Sequence, residues 1–194
     1  RYVVRVGEYI SVLSAPGTEA RRVTEQYIHP RYNPSTEDSD VMLLKLKRPV
    51  ETIEPIQLNF DAEVPAGGDP LTVMGLGYMQ VPASYAFRLR QVEVEAVPYD
   101  ECVGSFFGYS TSDINDDVML CASKLGRDSC NGDSGGPLIV KGNNETEDIQ
   151  VGIVSWGNGC ANPFYPGVYT RVSGVKDWII TTICNISEFP PFEC

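Results

Sequence analysis

Basic residues, histidine and long apolar runs are all scarce in this sequence. Only 15 lysines and arginines stand against 26 aspartates and glutamates, which gives a formal net charge of −11 at pH 7. A negative charge of this size argues against nucleic acid and anionic membrane surfaces as partners. No apolar run approaches the roughly 20 residues that a membrane-spanning helix needs, and no targeting segment is visible. We therefore expect neither nucleic acid nor a membrane among the partners.

Patterns typical of metal sites are missing as well. The chain has six cysteines and one histidine but no C-x-x-C pair and no Cys/His cluster, so we expect disulfides rather than zinc. The acceptor pattern N-x-S/T occurs at Asn144 and Asn185. Together with the six cysteines it indicates an oxidising compartment, and hence a secreted glycoprotein with glycans on these two asparagines. We expect no metal and no cofactor.

Glycine and proline divide the chain into short runs of β-branched and aromatic residues, which is typical of an all-β barrel or sandwich. Residues 51–70 are rich in proline, glycine and acids and indicate a connector between two groups of such runs. Residues 173–184 instead have apolar positions at helical spacing, with Ser173 as the predicted N-cap. The predicted strands are residues 2–6, 22–28 and 41–46 before the connector, and 71–74, 88–97, 118–121, 137–140, 149–156 and 167–172 after it.

The segment 128–137, DSCNGDSGGP, has the properties of a nucleophile loop. Glycines on both sides of Ser134 allow a tight turn that exposes its hydroxyl and keeps bulk away from an incoming carbonyl. The backbone N–H groups of Gly132 and Ser134 can converge on a developing oxyanion. A flexible turn is the alternative, but it does not account for the aspartate, cysteine and proline at fixed spacing. The segment therefore predicts Ser134 as a nucleophile beside an oxyanion hole.

This segment resembles the active-site serine motif of the trypsin-like (chymotrypsin-fold) serine proteases, and the resemblance extends over nearly the whole chain. It implies an all-β fold of two six-stranded antiparallel β-barrels, the first incomplete in this chain, followed by a C-terminal α-helix. Four further segments match the family in order: SDVMLLKL at 39–46, its aspartate strand; SWG at 155–157, which pairs with the substrate backbone; PGVYT at 166–170, the far wall of the specificity pocket; and VKDWI at 175–179, the closing helix.

The resemblance implies Ser134 as the nucleophile and Asp40 as the acid that orients the catalytic histidine. The family's histidine motif, of the Ala-Ala-His-Cys type, has no match here, and the segment around His29 resembles a family loop without a catalytic role. We therefore expect His29 to be a surface or packing residue. In the family, the acid before the nucleophile, here Asp133, pairs with the activated amino terminus, so we expect it to have no partner in this chain.

The resemblance also places Asp128 at the base of the primary specificity pocket. A buried carboxylate there needs a cationic partner, which the arginine or lysine of a substrate supplies. Gly157 and Gly167 fall where the family needs small residues to admit a long side chain, and a solvated loop acid at position 128, the alternative, does not account for them. The implied partners of a monomeric enzyme are protein or peptide substrates with Arg or Lys, and protein protease inhibitors. The other implied substrate-binding residues are Ser129, Ser155 and Trp156.

Two disulfides follow from the resemblance, Cys102–Cys121 and Cys130–Cys160. Cys184 and Cys194 have no counterpart in the family. Their short spacing favours a bridge between them, and a bond from either one to a segment before residue 1 is the alternative.

The implied function is a serine endopeptidase that hydrolyses peptide bonds after Arg or Lys by a Ser-His-Asp mechanism. The resemblance places the histidine on a segment before Arg1, so the chain alone is expected to be inactive. The alternative is a pseudoprotease that lacks the base and acts as a binding module. We expect a single peptidase domain over residues 1–194, incomplete at its N-terminus. Its parts are the remainder of the first barrel with the connector (1–60), the second barrel (61–172), the helix (173–184) and the tail (185–194).

Overall fold

A computed structural model of the chain describes residues 2–10, 16–79, 84–104, 108–188 and 194. The strands are β1 (Val3–Val6), β2 (Glu19–Ile28), β3 (Met42–Leu46), β4 (Gln57–Leu58), β5 (Pro70–Gly75), β6 (Arg90–Val97), β7 (Met119–Ser123), β8 (Pro137–Val140), β9 (Ile149–Trp156) and β10 (Gly167–Arg171). The helices are α1 (Tyr99–Cys102) and α2 (Lys176–Ile186), the second preceded by a 3₁₀ turn at Ser173–Val175.

Six of the strands close into a barrel. In hydrogen-bonding order they are β10, β7, β6, β5, β8 and β9, and the pairing of β9 with β10 completes the ring. Every pair in the ring is antiparallel. The two-residue β4 is parallel to β9. A separate antiparallel sheet has the order β1, β2, β3.

Alternating side chains fill the barrel. On β6, Val94 and Ala96 are buried, while Glu93 and Glu95 beside them are exposed, as expected of a strand with one face in a core. The inward residues pack in one apolar cluster that includes the fully buried Tyr169 of β10. The loops between the barrel strands are therefore anchored to a closely packed core.

A second apolar cluster joins the C-terminal helix and the segment just before β3 to the barrel. Ile179 of α2 and Val41, just before β3, are buried in this cluster together with Tyr109 and Val168. The segment that leads from Asp40 into β3 is thus packed against both the barrel and α2.

The predicted all-β fold with a C-terminal helix is confirmed. Two short elements escaped prediction, β4 within the predicted connector and the four-residue α1, because neither is long enough to show a period. The predicted N-cap was wrong: Ser173 begins the 3₁₀ turn, and α2 starts at Lys176 without a side-chain cap hydrogen bond.

Three disulfides are formed, Cys102–Cys121, Cys130–Cys160 and Cys184–Cys194. The last one closes a loop in the predicted tail, whose residues 189–193 lie outside the described residues. No helix in the described part of the chain is long and apolar enough to cross a membrane.

Candidate active site

Ser134 lies at an exposed turn immediately before β8. The turn requires glycine on either side, because Gly132 has φ +95° and Gly135 has φ +79°. The Gly135 N–H donates to the carbonyl of Val154 on β9 (2.9 Å), which ties the turn to the barrel. The N–H groups of Gly132 and Ser134 have no acceptor among the described residues. The turn thus presents a hydroxyl and two uncommitted backbone donors side by side.

Asp133 turns away from this surface into a cradle of glycines. Its Oδ1 accepts a hydrogen bond from the Gly77 N–H (2.7 Å), and its Oδ2 accepts one from the Cys130 N–H (2.9 Å). A Cβ atom at Gly75 would lie 1.8 Å from Oδ1, so a side chain at that position would clash with the carboxylate. Among the described residues Asp133 forms no ion pair, and these two backbone N–H groups are its hydrogen-bond donors.

Asp40 joins the three-stranded sheet to the barrel. Its Oδ2 accepts a hydrogen bond from the Ser155 hydroxyl (2.7 Å), and its backbone carbonyl accepts one from the Thr170 hydroxyl (2.7 Å). Among the described residues, none donates to its other carboxylate oxygen, Oδ1. The carboxylate is consequently held in one orientation with one oxygen left to bind a further donor.

His29 lies in a different environment from Asp40 and Ser134. The residue is only 4% exposed, and its ring makes an edge-to-face contact with Trp178 of α2, with 4.8 Å between the ring centroids. Its Nδ1 accepts a hydrogen bond from the Arg31 N–H (3.2 Å), and burial lowers its pKa, with the nearby Arg31 charge as a smaller cause. His29 was expected to be a surface or a packing residue, and its burial and its contact with Trp178 indicate packing.

Asp128 forms the charged end of a narrow space between two chain segments. Its Oδ1 accepts from the Ser129 N–H (2.8 Å) and its Oδ2 from the Ala161 N–H (2.9 Å). Burial raises its pKa to about 6, against the lowering effect of these two bonds. The carboxylate is thus largely withdrawn from water and has no cation beside it among the described residues.

The two predicted pocket glycines lie next to each other and next to this carboxylate. A Cβ atom at Gly167 would stand 2.7 Å from Asp128 Oδ1, whereas one at Gly157 would stand 3.8 Å from the Gly167 Cα. A side chain at position 167 would therefore cover the carboxylate. At position 157 an added methyl would make only ordinary contacts with the protein, and it would narrow the entrance instead.

Two tyrosines complete the walls of this space: Tyr169, which belongs to the predicted wall segment 166–170, and Tyr109, which was not predicted. The Tyr109 hydroxyl donates to the Pro166 carbonyl (2.9 Å) and accepts from the Asn158 N–H (3.1 Å), so it links the two walls. The Tyr169 hydroxyl lies 3.0 Å from the Ser129 hydroxyl, and burial raises its pKa. Tyr169 falls within the PGVYT segment, two positions after Gly167, whereas no local pattern marks Tyr109.

The remaining predicted residues lie on the barrel surface or the helix. Ser155 and Trp156 end β9, and the Trp156 ring contacts the Tyr109 ring at 4.9 Å between centroids. Asn144 is exposed in the hairpin between β8 and β9, and Asn185 is exposed on α2. Within the described residues, no three His, Cys, Asp or Glu side chains lie close enough together to hold a metal ion.

Comparison with known proteins agrees with this architecture. The profile of the Trypsin family matches residues 1–179. The chain is 37% identical over 182 residues to a trypsin of Phaedon cochleariae, an alignment that covers 91% of the chain and 66% of the relative. It is 39% identical over 165 residues to trypsin eta of Drosophila melanogaster (81% and 58%) and 40% identical over 174 residues to hypodermin-A of Hypoderma lineatum (88% and 64%).

The chain therefore spans somewhat less than two thirds of the length of these relatives. The family profile, in contrast, matches nearly all of the chain, and these relatives are 37% to 40% identical to it. The chain belongs to the trypsin family of serine proteases.

Proposed function

We propose that the protein is a serine endopeptidase that hydrolyses peptide bonds after arginine or lysine. One observation carries the proposal: a single short segment holds both the exposed Ser134 turn with two free N–H groups and, six residues earlier, the enclosed Asp128 carboxylate. Two relatives bear the name trypsin, which supports the same activity. A nucleophile and a cation site at this spacing suit a substrate whose basic side chain anchors the bond to be cut.

In the proposed mechanism, the Ser134 hydroxyl attacks the carbonyl carbon and the N–H groups of Gly132 and Ser134 stabilise the oxyanion. A histidine takes the proton from Ser134 and passes it to the leaving amine, while Asp40 orients that histidine through its free Oδ1. His29 packs against Trp178, so we propose that the histidine comes from a segment preceding residue 1. The 194 residues alone would then hydrolyse peptides about 10⁶-fold more slowly than the complete enzyme.

The proposed substrate contacts follow from the geometry of the pocket. The arginine or lysine side chain passes between Gly157 and Gly167, and its charge meets Asp128, assisted by Ser129. Because the free carboxylate is destabilised by burial, a cation that pairs with it recovers much of that cost. Ser155, Trp156 and Gly157 then pair with the substrate backbone.

We also propose the context in which this enzyme works. Three disulfides and two exposed acceptor asparagines, Asn144 and Asn185, support a secreted, glycosylated monomer. Its partners are protein or peptide substrates and protein inhibitors that present Arg or Lys. We propose residues 1–194 as one peptidase domain that is incomplete at its N-terminus.

The second candidate is a pseudoprotease that binds peptides without cleaving them. The packing of the chain's only histidine against Trp178 favours it. Peptide cleavage by the complete protein separates the two candidates, because both predict binding of basic peptides but only one predicts turnover.

The test uses the complete protein purified from its source, including any segment before residue 1. Peptide amides with Arg, Lys, Leu or Phe before the scissile bond are compared, with a Ser134→Ala variant as the control. We expect cleavage of the Arg and Lys peptides alone, and none by the variant. Binding of benzamidine without cleavage of any peptide would favour the pseudoprotease, and preferential cleavage after Leu or Phe would refute the proposed specificity.

A further inference from the structure

A hairpin packs against the turn that contains Gly132 and Ser134. None of the predicted catalytic segments includes this hairpin. The described residues of this hairpin are 77–79 and 84–86, with hydrogen bonds from the Ala86 N–H to the Gly77 carbonyl (3.1 Å) and from the Met79 N–H to the Ser84 carbonyl (3.1 Å). The Tyr78 N–H donates to the carbonyl of Asn131, one residue before Gly132 (3.0 Å). The hairpin is therefore bonded directly to the turn.

The ring of Tyr85 covers the face of Gly132 on which any other residue would carry its side chain. A Cβ atom at Gly132 would lie 3.1 Å from Tyr85 Cε1 and 3.7 Å from Cδ1, with the Gly77 Cα at 3.2 Å. The Tyr78 ring lies beside the Tyr85 ring, with 4.2 Å between the centroids. The Tyr85 ring and the Gly77 backbone thus both lie against this one face of Gly132, while the residue as a whole is exposed.

Burial does not account for the position of this ring, since Tyr85 is 59% exposed. Gly132, in contrast, needs an external restraint. Its φ of +95° is one that residues with side chains rarely adopt, and glycine has more accessible backbone conformations than any other residue. Its N–H has no acceptor among the described residues, so no hydrogen bond from that group fixes the direction in which it points.

We propose that Tyr85 is a positioning residue that holds the Gly132 N–H in the orientation needed to stabilise the oxyanion. The inference rests on the proposed protease function and adds to it a residue that acts through Gly132 and does not take part in the chemistry. An oxyanion donor contributes only when it is already aimed at the developing charge, and misplacement by about 1 Å can reduce a rate about 100-fold. A ring that restricts the Gly132 peptide therefore raises the turnover rate without strengthening substrate binding.

Tyr85→Ala in the complete protein tests this inference. We expect kcat for an Arg peptide amide to fall about 10- to 100-fold, with KM changed by about twofold or less. A peptide with a C-terminal arginine aldehyde, which forms an oxyanion on Ser134, should bind weaker by the same factor. Benzamidine, which needs only the cation pocket, should bind unchanged, and this result also shows that the variant is folded.

Two further variants complete the experiment. Tyr85→Phe keeps the ring and should retain the activity of the wild-type protein. Phe87→Ala removes another exposed aromatic ring two positions along the chain, which is not among the atoms nearest to Gly132, and should leave kcat unchanged. An equal loss of aldehyde and benzamidine affinity in Tyr85→Ala, an unchanged kcat, or a Phe variant as impaired as the Ala variant would each overturn the proposal.

The wild-type protein separates this inference from the function on which it rests. Aldehyde binding and peptide cleavage by the wild type, with Tyr85→Ala indistinguishable from it, would refute the role of Tyr85 alone. A wild-type protein that neither binds the aldehyde nor cleaves peptides would refute both.

Discussion

The closed barrel and the three-stranded sheet differ greatly in how much of each is buried. In β7 and in β10, four of five residues are buried, whereas Val23 is the single buried residue in the described strands of the sheet. Several apolar side chains on the sheet are exposed, among them Val3, Ile28 and Met42. The barrel has a core of its own, while the sheet depends on its contacts with the barrel and with α2.

This difference separates the proposed work of the molecule into two parts. Ser134, its proposed oxyanion donors and Asp128 all lie on loops between barrel strands, whereas Asp40 lies just before the sheet strand β3. The bonds from Asp40 to Ser155 and Thr170 cross from one region to the other. Substrate binding should therefore need the barrel alone, and turnover should need the junction as well.

The largest expected effect comes from removing one proposed catalytic group in each region. In the complete protein, Ser134→Ala should lower kcat about 10⁶-fold and Asp40→Asn about 10⁴-fold, the magnitudes known for serine proteases. Both variants should keep the benzamidine affinity of the wild type, because the cation pocket lies on the barrel. Peptide hydrolysis gives kcat and calorimetry gives the affinity. Weaker benzamidine binding by Asp40→Asn would show that the pocket depends on the sheet.

The next effect concerns the barrel pocket and its dependence on pH. Only the ionised Asp128 attracts a cation, and burial raises its pKa to about 6 in the free protein. Benzamidine keeps its charge over this range, so its affinity should be constant above pH 7 and fall about tenfold for each pH unit below 6. Calorimetry between pH 5 and 8 measures this dependence. Asp128→Asn should bind about 10²- to 10³-fold more weakly at pH 8, with no pH dependence. A wild-type affinity that stays constant down to pH 5 would contradict the assignment.

The third effect is smaller and concerns two disulfides, one in the barrel and one at the end of the chain. Cys130 and Cys160 are 30 residues apart and Cys184 and Cys194 are 10 apart. Replacing each pair by serine should lower the free energy of unfolding by about 4 and about 3 kcal/mol, respectively, in the loop-entropy account. Only the first replacement should weaken benzamidine binding, because Ser129 and Ala161, which bond Asp128, adjoin its two cysteines. Chemical denaturation and calorimetry provide the two measurements, and equal losses of affinity would be the contrary result.

The smallest expected effect lies at the contact between the sheet and α2. Burial lowers the pKa of His29 in the folded protein, so the unfolded chain binds the proton more tightly. The stabilising contribution is present above the unfolded pKa of about 6.5 and is lost as the pH falls below it. The difference in Tm between the wild type and His29→Gln should therefore be smaller at pH 5 than at pH 7, as measured by calorimetric scans. A difference in Tm that stays the same at both pH values would mean that protonation of His29 does not destabilise the folded protein.

The sequence was most informative where a local pattern and a chemical requirement coincide. The strands of the barrel show alternation or apolar runs over four to eight residues, and α2 shows a helical period, so both could be predicted. Segment 128–137 places glycines on both sides of Ser134, and the tight turn at this serine requires them. The Tyr109 hydroxyl bonds Pro166, 57 positions away, and the Asp133 carboxylate bonds Gly77, 56 positions away. No local sequence pattern predicts contacts between residues so far apart in the chain, because these contacts form only when the barrel closes.

The two hydrogen bonds of Asp40 can form only late in the synthesis of the chain. Ser155 and Thr170 follow Asp40 by 115 and 130 residues. At a synthesis rate of about 5 to 20 residues per second, the ribosome needs about 6 to 25 seconds after making Asp40 before both partners exist. Until Ser155 has been made, no hydrogen bond found in the described structure can orient the carboxylate, although Ser134 has already been made. In the proposed mechanism, a nascent chain therefore carries Ser134, the proposed nucleophile, before Asp40 can be held in the orientation proposed for it.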